Sequence, residues 1–132
     1  GVSYLFGESS SERRNLLSLF GVFALTERIN VVSELASEFS HTSTEPTERV
    51  DGLFTTHRVL FEAFKGFKPY LVFEAKQSDL ADPLTRSTLP GLGIQWLPIP
   101  HIELQAEYQR VVSESAPGNQ GDVAWLLTHF YF

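Results

Sequence analysis

The dominant period along this chain is two. In the stretch 101–109, apolar residues stand at Ile102, Leu104, Ala106 and Tyr108, and polar ones at Glu103, Gln105, Glu107 and Gln109. Successive side chains of a strand point to opposite faces, so a strand separates these two sets cleanly, whereas a helix would scatter them around its axis. Turn-forming clusters divide the sequence into eight such segments, at residues 2–8, 15–26, 29–40, 52–64, 68–77, 87–97, 101–112 and 123–132. Most of them exceed the ~5–6 residues of a globular strand and reach the ~9–11 that a tilted strand needs to cross a bilayer.

The connections alternate in length. Residues 8–14, 41–51, 78–86 and 113–122 are longer and rich in Ser, Thr, Pro, Asp and Glu, whereas 26–28, 65–67 and 98–100 are tight. Short turns on one side and long loops on the other are what a membrane-spanning barrel shows, with the short turns in the periplasm. The pattern predicts an all-β fold: an antiparallel up-and-down transmembrane β-barrel with about eight strands in this chain. Residues 1–132 form one barrel domain or the C-terminal section of a larger barrel. Both termini and the turns at Glu27-Arg28, Gly66-Phe67 and Ile99-Pro100 are expected on one side.

The last ten residues, Val123-Ala124-Trp125-Leu126-Leu127-Thr128-His129-Phe130-Tyr131-Phe132, resemble the C-terminal strand of bacterial outer-membrane proteins. Chains of that family end on an aromatic with apolar residues at alternate positions before it; Phe132, Phe130, Leu126 and Ala124 match, and Thr128 departs mildly. The stretch from Gly91 to Leu104 is similar to the penultimate hairpin of porin-type barrels. The resemblance implies a place in the bacterial outer membrane, with the lipid bilayer and the barrel-assembly machinery as partners. Phe130 and Phe132 would carry the assembly signal.

If lipid lies outside, the apolar parity of each strand marks its outer face. The opposite parity then faces the lumen: Glu34, Glu38, Arg58, Glu62, Glu74, Lys76, Glu103, Gln105, Glu107 and His129, with Asn30, Gln95 and Gln109 beside them. The acids Glu34, Glu38, Glu62, Glu74, Glu103 and Glu107 outnumber the bases Arg58 and Lys76, so the lumen reads as acidic and tolerant of cations. Trp96, Phe130 and Phe132 are expected at the periplasmic rim, and Tyr108 and Phe39 at the outer rim. Three places fit poorly: Phe20 and Val22 point inward in a strand that is apolar on both faces, His57 and Thr55 fall on the lipid side, and so does Arg110, near the rim. Gly91-Leu92-Gly93 reads as a kink or as a place where a bulky neighbour approaches.

Composition narrows the chemistry. The absence of Cys excludes disulfides, thiolate metal sites and cysteine nucleophiles, and the net charge of -6 argues against a nucleic-acid footprint. Eleven Phe in 132 residues must be buried or face lipid. No apolar run approaches the ~20 residues of a spanning helix. The chain opens on neither Met nor a signal peptide, so Gly1 is a mature N-terminus, the start of an expressed piece, or a point inside a longer protein. Glu34 with Glu38, and Glu103 with Glu107, lie four residues apart on one face, roughly 13 Å by strand rise, too far for a glycosidase pair. The four histidines form no metal-ligating spacing. No catalytic residue, cofactor or metal is expected.

The leading expectation is the C-terminal section of a porin-type transport pore or conduit, completed by further strands or subunits. The alternatives are a sealed eight-stranded outer-membrane barrel with a structural or adhesive role, and a soluble lipocalin-like ligand-binding barrel with the inverted pattern.

Overall fold

A computed structural model describes residues 1–8, 12–42, 49–114 and 120–131, with only the backbone of residues 12, 13, 41, 42 and 49. Eight strands follow one another: β1 (Val2–Glu8), β2 (Glu12–Ala24), β3 (Ile29–Thr42), β4 (Arg49–Phe61), β5 (Phe67–Gln77), β6 (Arg86–Ile99), β7 (Ile102–Ser113) and β8 (Gly121–Phe130). Each pairs antiparallel with the next, so the order in the sheet is the order in the chain. Among the described residues the one helical element is a single 3-10 turn at Pro83–Thr85 between β5 and β6, capped by Asp82, whose carboxylate accepts from the Leu84 amide at 2.9 Å. The expected up-and-down meander is present, with both termini on the side of the tight turns.

Closure is not. Among the described residues β1 pairs with β2 alone and β8 with β7 alone, so the expected barrel is an open eight-stranded sheet. The strands are also staggered. The row at right angles to them through Trp125 passes Glu107, Gly93, Tyr70, Leu60, Asn30 and Ala24. Ala24 lies beyond Leu19, the residue facing Val2, so the row leaves the sheet below the start of β1.

Two tight turns use a left-handed residue at their third position. In Phe64-Lys65-Gly66-Phe67, Gly66 has φ 80 and the Phe67 amide donates to the Phe64 carbonyl at 2.9 Å. In Ile99-Pro100-His101-Ile102, Ile99 faces Ile102; Pro100 pre-sets its own φ, and His101 takes φ 73, where Gly or Asn is usual.

Strand ends differ from the expected ones where a charged residue opens or closes a ladder. β2 and β4 begin earlier, which brings Arg14 and Arg49 into the sheet, and β4 stops at Phe61, which leaves Glu62 in the turn. A charge at a strand end resembles loop composition, but the backbone pairing continues through it.

The distribution of burial is inverted relative to a water-soluble domain. The only large apolar side chains buried among the described residues are Tyr70 and Val72, while Ser18, Glu103, Glu107 and Gln109 are buried polar ones. On the opposite face stand Leu17, Leu19, Phe23, Leu71, Leu92 and Leu126, all exposed; Leu71 is 65% accessible and Leu126 76%.

Candidate functional site: the concave face of the sheet

Cross-strand register sorts the side chains into two sets. Ser18, Ala36 and Phe54 are neighbours on one face, followed by Lys76; Arg58, Val72, Gly91 and Gln109 make a second row, and Leu60, Tyr70, Gly93, Glu107 and Trp125 a third. This is the polar face, and it is concave. Neighbouring strands are about 4.8 Å apart, so β4 and β7 are separated by about 14 Å along the sheet. Even so, Arg58 Nη2 of β4 lies 3.4 Å from Glu107 Oε2 of β7. A flat sheet holds such side chains apart; only a sheet rolled toward its polar side brings them together.

Glycine makes the contact possible. Gly91 and Gly93 leave the inner surface of β6 bare, and Tyr70 from β5 lies across the gap. A Cβ built on Gly93 would stand 2.3 Å from Tyr70 Cζ and 2.7 Å from the Ala106 carbonyl oxygen. Over this floor the Tyr70 hydroxyl donates to Glu107 Oε2 at 2.8 Å and accepts from Gln105 Nε2 at 3.0 Å. Arg58 also lies 3.8 Å from Glu74 and over the Tyr70 ring at 5.9 Å. Glu107, 4% accessible, thus has a phenol and a guanidinium in place of the water it has lost. Two donors in the same row stay unmatched: Arg58 Nε and Gln109 Nε2 are buried without a hydrogen-bond partner. The expectation of a bulky neighbour over the Gly91-Leu92-Gly93 stretch holds, and that neighbour is Tyr70.

A second cluster sits near the tight-turn end. Glu103 accepts from Gln95 Nε2 at 2.6 Å and from the Tyr131 hydroxyl, and lies 3.5 Å from His129 Nδ1. Tyr131 follows the last strand, and its bond to the Glu103 carboxylate raises its phenol above the ordinary range, since losing the proton would set two negative charges together. A third cluster lies near the long-loop end. Arg14 Nε pairs with Glu38 at 2.8 Å, and these two help line a cavity of about 280 Å³ with Gly52, Phe54, Lys76 and Ser78. Lys76 stands over the Phe54 ring at 5.1 Å, and the Ser18 hydroxyl donates to Glu34 at 2.6 Å.

Nine of the ten side chains expected on the lumen side share this face: Glu34, Glu38, Arg58, Glu74, Lys76, Glu103, Gln105, Glu107 and His129. Glu62 does not belong with them. It lies past the end of β4, where its carboxylate accepts from the Gly66 amide at 3.3 Å and braces the turn. Arg14 and Lys68, the latter facing Gln95, also lie on this face, beyond the set expected from the sequence. The face therefore carries five described strand carboxylates (Glu34, Glu38, Glu74, Glu103, Glu107) against four cationic side chains (Arg14, Arg58, Lys68, Lys76), and the expected acidic surplus shrinks to one. Parity with Tyr70 and Glu74 was the available signal for Lys68, and parity with Leu16 and Ser18 for Arg14.

Three of the aromatics expected at the rims, Trp96, Phe130 and Tyr108, lie on the convex face. Trp96 and Phe130 are exposed toward the tight-turn end, and Tyr108 lies toward the long-loop end, its hydroxyl donating to Asp122 at 2.8 Å. Phe132 lies outside the described residues. His57 and Thr55 do fall on this face, and His57 Nδ1 is hydrogen-bonded to Ser33 Oγ at 3.1 Å, so the two polar groups satisfy one another. Among the described residues no three His, Asp or Glu side chains converge as metal ligands. No family model, curated protein or solved structure matches this chain.

Proposed function

We propose that this chain forms the wall of a bacterial outer-membrane β-barrel. One observation carries the reading: a convex face rich in exposed Leu, Phe, Val, Ile and Trp, interrupted by the His57–Ser33 pair, backs onto a concave face of paired charges. Water would disfavour the first surface over such an extent, and hydrocarbon would favour it. A lipocalin-like barrel has the opposite arrangement, with its charges outside. Strands of ten or more residues, seven of the eight, suit a tilted crossing. The terminal strand with Phe130 and Phe132 is then the segment that the barrel-assembly machinery reads.

Two forms of such a barrel differ in what the lumen does. The C-terminal section of a wider porin-type conduit is supported by the two unpaired sheet edges, which hydrocarbon does not tolerate and which further strands would complete. A sealed barrel with a structural or adhesive role is supported by the roll of the sheet and by near-balanced concave charge, since a narrow interior penalises unmatched carboxylates.

The membrane reading is tested by extraction and gel migration. The protein should enter the detergent phase and migrate differently before and after boiling. A monodisperse monomer in detergent-free buffer sinks it. Conductance across a planar bilayer then separates the two forms: steady cation-preferring steps support the conduit, and a silent bilayer supports the sealed barrel.

A further inference from the structure

The concave face is not polar throughout. Its charges belong to the middle strands and the flanks nearest them, while the outer strands carry apolar residues: Leu5, Phe20 and Val22 at the β1 end, and Val123, Trp125 and Leu127, beside His129, at the β8 end. Five of the six apolar residues are exposed, Leu5 and Val22 by about two thirds, and Trp125 is partly so. A water-filled lumen gives no reason for two separate greasy margins. Hydrocarbon cannot cover them either, because they lie on the inner side of the wall.

Resting on the outer-membrane reading above, we infer that β1 and β8 of the same chain pair with each other, closing these eight strands into a narrow barrel whose seam is apolar inside. Three observations converge. First, the contact from Arg58 to Glu107 across three strand spacings shows the sheet bent toward its polar side, the direction that brings β1 and β8 toward each other. Second, an even-numbered meander sets β1 and β8 antiparallel, as every other pair in the sheet is. Third, the stagger runs in the direction that closure needs. The row through Trp125 runs off the sheet at Ala24, five residues past the partner of Val2; continued, it meets the line of β1 five residues ahead of Val2 and eleven ahead of Glu8, so any β1 partner of Trp125 lies within that range. Tilted strands close only with such an offset, and a shear of about eight is that of the eight-stranded TIM barrel. A shear of eight would set Leu5 opposite Trp125, Ser3 opposite Leu127 and Gly7 opposite Val123. It is even, so concave residues meet concave ones, and Tyr4 and Phe6 come beside Leu126 and Ala124 on the lipid side.

The chain has no cysteine, so introduced pairs report without background. Antiparallel partners bring Cα atoms to about 4.5–5.5 Å, within disulfide range. The doubles Leu5→Cys/Trp125→Cys and Ser3→Cys/Leu127→Cys, with Leu5→Cys/Leu127→Cys for a stagger two residues larger, are made in the full-length protein and oxidised in outer membranes. The expected result is a disulfide within one chain in at least one double, seen as a reducible shift of the monomer band in the fraction that still shows heat-dependent migration. Leu5→Cys with Leu71→Cys should give none. Disulfides only between chains would overturn the inference in favour of edges that pair with a second copy. No disulfide in any of the three, in heat-modifiable protein, would overturn it in favour of intervening strands. Ser3→Cys/Leu127→Cys spares the Trp and guards against a failure of folding. Loss of detergent partitioning by the unaltered protein would instead defeat the membrane reading itself.

Discussion

Two parts of one surface solve the same problem in opposite ways. In the middle of the concave face, β4 to β7, polar groups are buried against one another: Glu107 with Tyr70 and Arg58, Glu103 with Gln95 and Tyr131. At its margins, β1, the lower half of β2, and β8 offer Leu5, Phe20, Val22 and Leu127 with little over them. The middle meets most of its polar groups within the sheet, Arg58 Nε and Gln109 Nε2 excepted, and the margins offer apolar side chains with no such partners. A wall section can therefore be largely satisfied at its centre and still be unfinished at its edges.

The comparison breaks most severely at the glycine floor. Gly93→Val places a branched side chain where Tyr70 and the Ala106 carbonyl already stand, and should cost more than about 3 kcal/mol, seen as loss of the heat-modifiable form or an earlier urea midpoint in micelles. Next is Arg58→Met, which leaves Glu107 buried with one partner fewer. A cost of about 2–3 kcal/mol is expected, below the value for a fully buried pair because Arg58 is about one third exposed. Adding Glu107→Leu to it should recover most of that loss in a double-mutant cycle; an additive double would show that the two side chains do not interact.

The margins are probed by Phe20→Gln and Leu127→Gln. Each should cost about 1–2 kcal/mol of unfolding free energy if an apolar partner covers these residues, and less than about 0.5 kcal/mol if they face water. Arg14→Gln removes a salt bridge whose arginine is more than half exposed, and the urea midpoint should fall by less than about 1 kcal/mol equivalent. The smallest effect belongs to neither region. His101→Gly relieves a left-handed residue in a tight turn at the cost of a freer unfolded chain, and should leave stability unchanged or raise it by up to about 1 kcal/mol.

Much of the wall was legible in the sequence because period two is a local property. The stretch Ile102 to Gln109 gives its faces without reference to anything else, and the alternation of short and long connections gives the meander. What escaped depends on distance in sequence or on ends. Arg14 reads as loop in the sequence because a charged residue at a strand end looks like one. Tyr70 carries no polar signature in an apolar strand, and its role appears only when Gly93 is known to lie across from it. The reach from Arg58 to Glu107 requires the roll of the sheet, which no single strand encodes. The misfit of Phe20 and Val22 was visible from the start, but its meaning came only with the matching apolar margin on β8.

The strictly sequential order of the strands has a consequence for how the wall forms. Every ladder joins segments adjacent in the chain, so each hairpin can zip from its own turn, and the entropy of ordering is met in small local instalments. On the closure inferred above, only the joining of the first strand to the last spans the whole chain, and that step would be a meeting of two edges whose neighbouring ladders can form first. Weakening the roll at Gly93 or Arg58 should therefore slow the final stage of assembly while early hairpin formation keeps its pace, and partly assembled protein should accumulate with its first and last strands accessible to protease.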